Sequence, residues 1–251
     1  MDETWTLVLD GNFEKVVLKN VTLDPGGPAR HRSNGQDRII PTVKLEIKGF
    51  VETLEIEKSI AGPVFESVSF SGGAIDPCSV GDIFITDSIV DSGFETDAIS
   101  TTTGTVHLKR STVFGNVRVN RLYASEALID GYVNVNDMTN GCFRYSATAR
   151  KFDLGEVPDT TENEHRVPKA YESHFYSGTL PQGTFISKTF GDAGYAQLSM
   201  QAPAAIRRGA ENTSELGVFN AEISAIKLSD LRQKIDEFKP VQLVPQFIFE
   251  T

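Results

Sequence analysis

The chain repeats one short pattern of apolar and polar positions. Each copy has two apolar residues at alternate positions, then two polar residues, a small residue and an apolar stretch at a turn. The copies cover residues 54–62, 83–91, 106–115 and 122–130, and a weaker copy covers residues 16–24. A unit of one strand and one turn is too small to bury its own apolar face. The pattern therefore predicts that the copies stack into a solenoid.

The spacing between equivalent positions of the copies indicates which kind of solenoid forms. Ile56 and Ile85 are 29 residues apart, Ile85 and Leu108 are 23 apart, and Leu108 and Ala124 are 16 apart. The strands stay regular while the turns vary, which a parallel β-helix permits because loops of any length leave at its corners. The last step is short for a full coil, so the register there stays open. We predict an all-β fold, a right-handed parallel β-helix solenoid with a small C-terminal α+β capping module.

The composition divides the chain into three parts. Residues 1–149 are predicted to form the parallel β-helix, with a long surface loop at about residues 25–41, where Pro, Gly and polar residues replace the strand pattern. Residues 150–184 are charged and are predicted to form a loop-rich connector. Residues 185–251 are predicted to form a C-terminal capping and docking module.

One helix is predicted in this module, at about residues 222–238. Leu228, Leu231, Ile235 and Phe238 follow the spacing of one helical face, and Pro240 ends the helix. The last coil of a β-helix exposes unpaired edge groups, which are a route to aggregation. We therefore expect the apolar face of this helix to cover that end.

Stacking the copies places equivalent residues about 4.8 Å apart, the spacing of paired strands. Small residues then form an internal column: Ser59, Ser88, Ser111 and Ala127. One position earlier, on the outside, the charges alternate in sign: Lys58, Asp87, Arg110 and Glu126. A row of Asp, Arg and Glu on a β-helix face is also typical of a polysaccharide-cleaving site. A ladder of mutually paired charges explains the alternation without any substrate.

One outer face carries residues that are suited to binding or cleaving a glycan. These residues are Asp87, His107, Lys109, Arg110 and Tyr123. Stacking the copies aligns His107 with Glu55, Phe84 and Tyr123 on this face. Asp82, Asp87 and Asp91 are candidates for the paired carboxylates of a glycosidase, but their positions before a strand and at a turn place them on different faces. The spacings typical of metal sites, nucleophilic serines and phosphate loops are absent from the sequence, so we predict no catalytic residue, no metal and no cofactor.

The charge balance bears on partners and location. There are 24 basic and 34 acidic residues, which give a net charge of −10. This argues against nucleic acid and anionic membranes as partners, because both require a basic footprint. No apolar run is long enough to span a bilayer, and the acidic start lacks the features of a secretory signal. We expect a cytoplasmic or particle-associated protein. Cys78 and Cys142 are expected to be reduced thiols, with a disulfide between them as the alternative.

Several motifs resemble one group of proteins. They are "DSIVD", "RSTVFGNVRV", "GCFRYS", "FGDAGYAQL", "IRRGAENTSELGVF" and "KIDEFKPVQLVP". Together they are similar to bacterial right-handed parallel β-helix proteins that are associated with gene clusters for phage-tail-like contractile particles and their baseplates. The resemblance covers residue 43 to the end. Ala193 and Asn212-Thr213 depart from it, where Pro and Asp-Gly are expected.

The resemblance implies a non-enzymatic structural or adhesive protein, a component or accessory of a phage-tail-like contractile assembly. A docking loop of Arg207, Arg208, Glu211 and Glu215 would then contact a protein partner, unless this loop is simply held by its own salt bridges. Trp5, Leu7 and Leu9 belong to a first coil without an evident cap, so we expect another copy, a partner or further sequence of the same protein to cover it. The alternative function is a carbohydrate-binding or polysaccharide-cleaving β-helix, which rests on fold analogy.

Overall fold

The chain folds as a parallel β-helix with three sides. The computed structural model describes residues 5–33, 36–67, 69–71, 74–76, 79–93, 95–137, 139–148, 175–177, 180, 183–222, 224–240 and 243–244. Three parallel sheets of six strands each run along the three sides, so that most coils contribute one strand to every sheet. The predicted all-β solenoid is therefore confirmed.

The strands of each sheet follow the order of the coils. The first sheet contains β1 (Trp5–Leu9), β5 (Val43–Ile47), β8 (Val64–Glu66), β13 (Asp97–Ser100), β16 (Asn116–Val119) and β19 (Val133–Val135). The second sheet contains β2 (Asn12–Lys19), β6 (Phe50–Glu57), β11 (Ser79–Thr86), β14 (Thr105–Lys109), β17 (Arg121–Ser125) and β20 (Gly141–Arg144). The third sheet contains β7 (Ile60–Ala61), β12 (Ile89–Asp91), β15 (Thr112–Phe114), β18 (Leu128–Asp130), β21 (Ser146–Thr148) and β22 (Phe175–Ser177).

The register of the second sheet agrees with the sequence alignment of the copies. Ile56 pairs with Ile85, Ile85 pairs with Leu108, and Leu108 pairs with Ala124. The 16-residue step is thus one complete coil. It is short because single residues, Gly115 and Asn120, separate its strands at two corners. Gly115 has φ +121°, and a Cβ at this position would meet the side chain of Ser92 at 2.7 Å.

The core is a continuous column inside the three sheets. From the second coil onward, alternate residues of the first two sheets point inward and most are buried. In the second sheet the buried inward residues are Val51, Leu54, Ile56, Val80, Ile83, Ile85, Val106, Leu108, Leu122, Ala124 and Phe143. Alternation places one face of each strand in the core and the other outside.

The predicted long loop at residues 25–41 is instead a β-hairpin. Its strands, β3 (Gly27–Ser33) and β4 (Gln36–Ile40), are antiparallel. The sequence Asn34-Gly35 separates them, and Asn-Gly is a strong hairpin signal that the polar composition obscured. A second hairpin, β9 (Ser69–Ser71) and β10 (Ala74–Asp76), leaves another corner.

The described residues of the C-terminal module that pack on the β-helix cover one of its sides. Residues 183–222 contain α1 (Ala204–Arg207) and a 3-10 turn (Asn220–Glu222), and they pack against the outer face of the third sheet. The helix α2 (Ser224–Phe238) forms close to its predicted range, but Leu231 is 46% exposed and Phe238 is 85% exposed. The expectation that this helix covers the last coil is therefore wrong for the side chains of Leu231 and Phe238. The side chain of Leu228 and the connector at residues 150–174 lie outside the described part of the chain.

The third sheet explains this placement. Its strands carry pairs of adjacent apolar residues, so apolar side chains point to both faces. Val90, Val113 and Ile129 enter the core, whereas Ile89, Phe114 and Leu128 point outward and would meet water without a cover. Strands that are apolar in consecutive positions need burial on both sides.

The predicted serine column is present inside one corner. The backbone N–H of Ser59 donates to the hydroxyl of Ser88 at 3.1 Å, and the N–H of Ser88 donates to the hydroxyl of Ser111 at 3.4 Å. The N–H of Ala127 donates to Ser146 in the next coil at 3.0 Å. Each of these hydroxyls in turn donates to the carbonyl two residues earlier. The hydrogen bonds therefore join backbone to hydroxyl, and Ala127 interrupts the column.

We predict that Ala127→Ser stabilises the fold. The new hydroxyl would accept the N–H of Ser111 and donate to the carbonyl of Ser125, as its equivalents do in other coils. One such hydrogen bond contributes about 0.5–1.5 kcal/mol to the free energy of unfolding. Urea denaturation measures this gain, and Ser88→Ala provides the opposite change in the same column. A loss of stability in Ala127→Ser would contradict the prediction.

Candidate functional site

The outer face of the second sheet carries a stack of three rings. Phe84, His107 and Tyr123 are paired in register on successive coils, as the sequence alignment predicted. The ring centroids of Phe84 and His107 are 4.4 Å apart with an interplanar angle of 14°, and those of His107 and Tyr123 are 5.1 Å apart at 10°. The rings thus lie nearly parallel and use their faces to contact one another.

A groove of about 390 Å³ runs along this stack. It lies between the stacked rings and a second outward-facing column two residues further along each strand, formed by Thr86, Lys109 and Ser125. Its lining consists of Phe84, Thr86, His107, Leu108, Lys109, Tyr123, Ala124, Ser125, Cys142 and Arg144. Among the described residues, this lining contains cations and hydroxyls but no carboxylate, although the chain has a net charge of −10.

Two cations line the groove, Lys109 and Arg144. Lys109 is exposed, and the Arg144 Nε donates to the hydroxyl of Ser125 at 3.2 Å. Neither cation forms an ion pair with another of the described residues. Asp82 lies beside the groove, with its carboxylate 3.3 Å from the His107 Nε2.

The other two residues of the predicted glycan face lie at the adjoining corner. The Arg110 guanidinium contacts both carboxylate oxygens of Asp87, at 2.5 and 2.9 Å. The hydrogen bonds that Arg110 donates to Asp87 raise the pKa of Arg110, and the charge of Glu126 adds to this effect. The predicted charge ladder is therefore formed around Arg110. The structure joins His107, Lys109 and Tyr123 in the groove and separates them from the Asp87–Arg110 pair.

The corner residues of the ladder share an unusual backbone conformation. Their φ angles are positive, at 48° for Lys58, 50° for Asp87, 46° for Arg110 and 58° for Glu126. The left-handed region turns the chain sharply between the second and third sheets. Non-glycine residues adopt it at an energetic cost. At three of these corners the next residue is a serine, Ser59, Ser88 or Ser111, whose hydroxyl donates to the carbonyl that precedes the corner.

A second cavity, of about 520 Å³, lies between the third sheet and the C-terminal module. Lys58, Ser59, Ile60, Asp87, Ile89, Tyr195, Val218, Phe219 and Ala221 line it. The module is attached around it by polar contacts: the Glu126 carboxylate accepts the N–H of Glu211 at 3.2 Å, and the Thr112 hydroxyl accepts the N–H of Val218 at 3.1 Å. Lys188 also pairs with Asp130.

One buried ionisable pair joins the two parts of the chain. The Tyr195 hydroxyl donates to the Asp91 carboxylate at 2.7 Å, and the N–H of Gly93 donates to the other oxygen at 2.9 Å. Burial raises the pKa of Asp91, while these two hydrogen bonds oppose the increase. Burial and the Asp91 charge also raise the pKa of Tyr195. The pair was not predicted, because 104 residues separate its members.

The three aspartates considered as paired carboxylates lie apart, as their positions predicted. Asp82 is on the outer face of the second sheet, Asp87 pairs with Arg110 at the corner, and Asp91 is buried under Tyr195. Cys142 is a free thiol in the groove lining, and Cys78 lies outside the described residues.

The predicted docking loop is only partly exposed. Arg208 and Glu211 are exposed, whereas Arg207 is half-buried and its Nε donates to the carbonyl of Ala202 at 2.8 Å. Glu215 is 2% exposed, so its inclusion in a docking surface is wrong. It is buried because it lies in the segment that packs against the third sheet, next to Leu216.

The chain matches no protein-family model, and no similar curated protein or solved structure is found. In the described part of the chain, no cluster of three or more His, Cys, Asp or Glu side chains is arranged to hold a metal ion. None of the described helices has the length and apolar character that a membrane crossing requires.

Proposed function

We propose that this chain is a non-enzymatic structural or adhesive β-helix, which functions as a component of a larger assembly and associates with a second copy through its first coil. The exposure of inward-facing residues in that coil carries the proposal. Trp5 and Leu7 are 63% and 39% exposed, although Leu7 is in register with the fully buried Leu45.

The edge of this coil supplies the means of association. Among the described residues, β1 pairs only with β5, and β2 pairs only with β6. Their free edges present rows of backbone N–H and C=O groups, which readily pair with another strand. Two copies that meet at the same edge are related by a two-fold axis, so their strands would pair antiparallel.

The resemblance to β-helix proteins of contractile-particle gene clusters supports a phage-tail-like assembly as the setting. Within such an assembly, Arg208 and Glu211 are the exposed members of the docking loop and would contact a baseplate partner. Both lie on the C-terminal module, away from the first coil. The two surfaces would therefore allow self-association and docking together.

Sedimentation velocity over a range of concentrations tests self-association. We expect the wild-type chain to form dimers as its concentration rises and Leu7→Lys to remain monomeric, because a charge at the open core opposes burial. Val17→Lys is the matched control, since Val17 is also exposed in the first coil but faces outward, in register with Glu55. A wild-type chain that stays monomeric at all concentrations would contradict the proposal.

As a second function, we propose glycan binding without cleavage on the outer face of the second sheet. The groove beside the ring stack favours it, because hydroxyl and cationic donors line a long, open surface. Cleavage by the common mechanism requires two carboxyl groups that flank one bond. The described residues that line the groove include no carboxyl group, so we favour binding over cleavage.

A further inference from the structure

We infer that the groove on the second sheet binds an acidic polysaccharide, a chain of sugars that carries carboxylates at intervals. The inference rests on the proposed glycan-binding function and specifies its ligand class. Two features of the groove carry it, the use of its ring faces and the two cations in its lining, and the charge of the surrounding protein limits how densely charged the ligand can be.

The rings favour an anion over a neutral sugar. Neutral sugars pack their apolar faces on open aromatic faces, but in this stack each ring face between Phe84 and Tyr123 contacts another ring. The Nε2 edge of His107 faces the Asp82 carboxylate, whereas Phe84 and Tyr123 are 37% and 39% exposed and present their edges to the groove. Because an aromatic quadrupole is positive at the edge, a row of edges attracts the oxygens of an anion.

The two cations are spaced for an extended ligand. Lys109 is in register with Ser125, and Ser125 is in register with Arg144, so the two cations lie in one outward column. Two strand spacings separate their Cα atoms, or about 9.6 Å along the β-helix axis, and the Arg144 side chain reaches back to the Ser125 hydroxyl. Two cations in one column suit an extended sugar chain that carries more than one carboxylate, with Ser125 in register between them.

The overall charge argues against nucleic acid in the same groove. A nucleic acid strand carries one phosphate per roughly 3.4 Å and needs a dense row of cations. This groove has two cations on a chain with a net charge of −10. A ligand of low charge density, with hydroxyls between its charges, matches the lining better.

The test compares two oligosaccharides of the same length, oligogalacturonate and its neutral counterpart, oligogalactose. We expect calorimetry to show binding of the acidic chain alone, weakened by added salt. The double variant Lys109→Ala/Arg144→Ala should bind it at least about tenfold more weakly, since both charged contacts are lost. The control variant Lys227→Ala/Arg232→Ala removes the same charge from exposed positions of α2 and should bind as the wild type does.

A second measurement leaves both cations in place. In a Cys78→Ser background, the acidic oligosaccharide should slow alkylation of Cys142, which lines the groove beside Tyr123. Equal binding of the acidic and neutral chains would overturn the inference while keeping glycan binding. Binding of neither chain would overturn both, and binding of single-stranded DNA without the acidic chain would assign the groove to another ligand class.

Discussion

Replacing Phe143 with Ala should destabilise the protein by about 3–5 kcal/mol, the largest effect that we expect from one core substitution. Phe143 is fully buried and lies in the inward column of the second sheet. Its register partner in the preceding coil is Ala124, where the earlier coils have Leu108 and Ile85. The small side chain of Ala124 therefore leaves space that the large ring of Phe143 fills.

A double-mutant cycle tests this pairing of sizes. Ala124→Leu alone should cost about 1–3 kcal/mol, because the ring leaves no room for added methylene groups. Combined with Phe143→Ala, the added side chain enters the cavity, and the double variant should lose less stability than the sum of the two single variants. Urea denaturation measures all three. Additive losses would show that the two side chains do not share one space.

The alternation of apolar residues was enough to predict the first two sheets. The strands around Ile56, Ile85 and Leu108 alternate between inside and outside, so their register could be aligned without a structure. Because equivalent residues stack, the alignment also predicted the serine column and the row of His107 with its aromatic neighbours.

The sequence of the third sheet also indicates how its outer face is buried. Its strands have adjacent apolar residues, such as Val113 with Phe114, which indicates burial on both faces. This pattern would have predicted that another part of the chain covers the sheet. Which part does so depends on contacts across about a hundred residues, and neither spacing nor composition indicates that Tyr195 meets Asp91.

The candidate groove was only partly predictable for the same reason. Lys109 and Tyr123 belong to aligned copies, so stacking placed them on one face. Arg144 follows a less regular strand and was not included. The sequence also grouped Asp87 and Arg110 with this face. Their positive φ angles turn the chain at the corner and carry them off the face, and the alternation of apolar residues does not reveal such a turn.

The Tyr195→Phe variant should lose stability in a manner that depends on pH. At neutral pH the buried Asp91 carboxylate would lose its hydroxyl donor, which costs about 1.5–3 kcal/mol for a hydrogen bond to a charged group. The rings of Phe114 and Phe190 would still contact an unchanged ring at position 195. The loss therefore reports the hydrogen bond and not the packing.

The sign of the pH dependence follows from the direction of the pKa shift. Burial raises the folded-state pKa of Asp91 above its ordinary value of 3.8, so the folded state binds this proton more tightly than the unfolded state does. The tighter binding of this proton stabilises the folded state at pH values below 3.8, and this stabilisation is lost as the pH rises through the raised pKa of Asp91. The hydrogen bond from Tyr195 lowers the pKa of Asp91. Without this bond the pKa of Asp91 rises further, and the protein loses more stability at neutral pH.

We therefore expect the difference in unfolding free energy between wild type and Tyr195→Phe to shrink on acidification. Once Asp91 is protonated, only a neutral hydrogen bond is missing, which is worth about 0.5–1.5 kcal/mol. Urea denaturation at neutral and acidic pH measures the change, with Tyr123→Phe as the control, because the Tyr123 side chain is exposed in the groove. A difference that is independent of pH would mean that Asp91 does not titrate against Tyr195 in the C-terminal module, and the hydrogen bond would then contribute equally whether or not Asp91 is protonated.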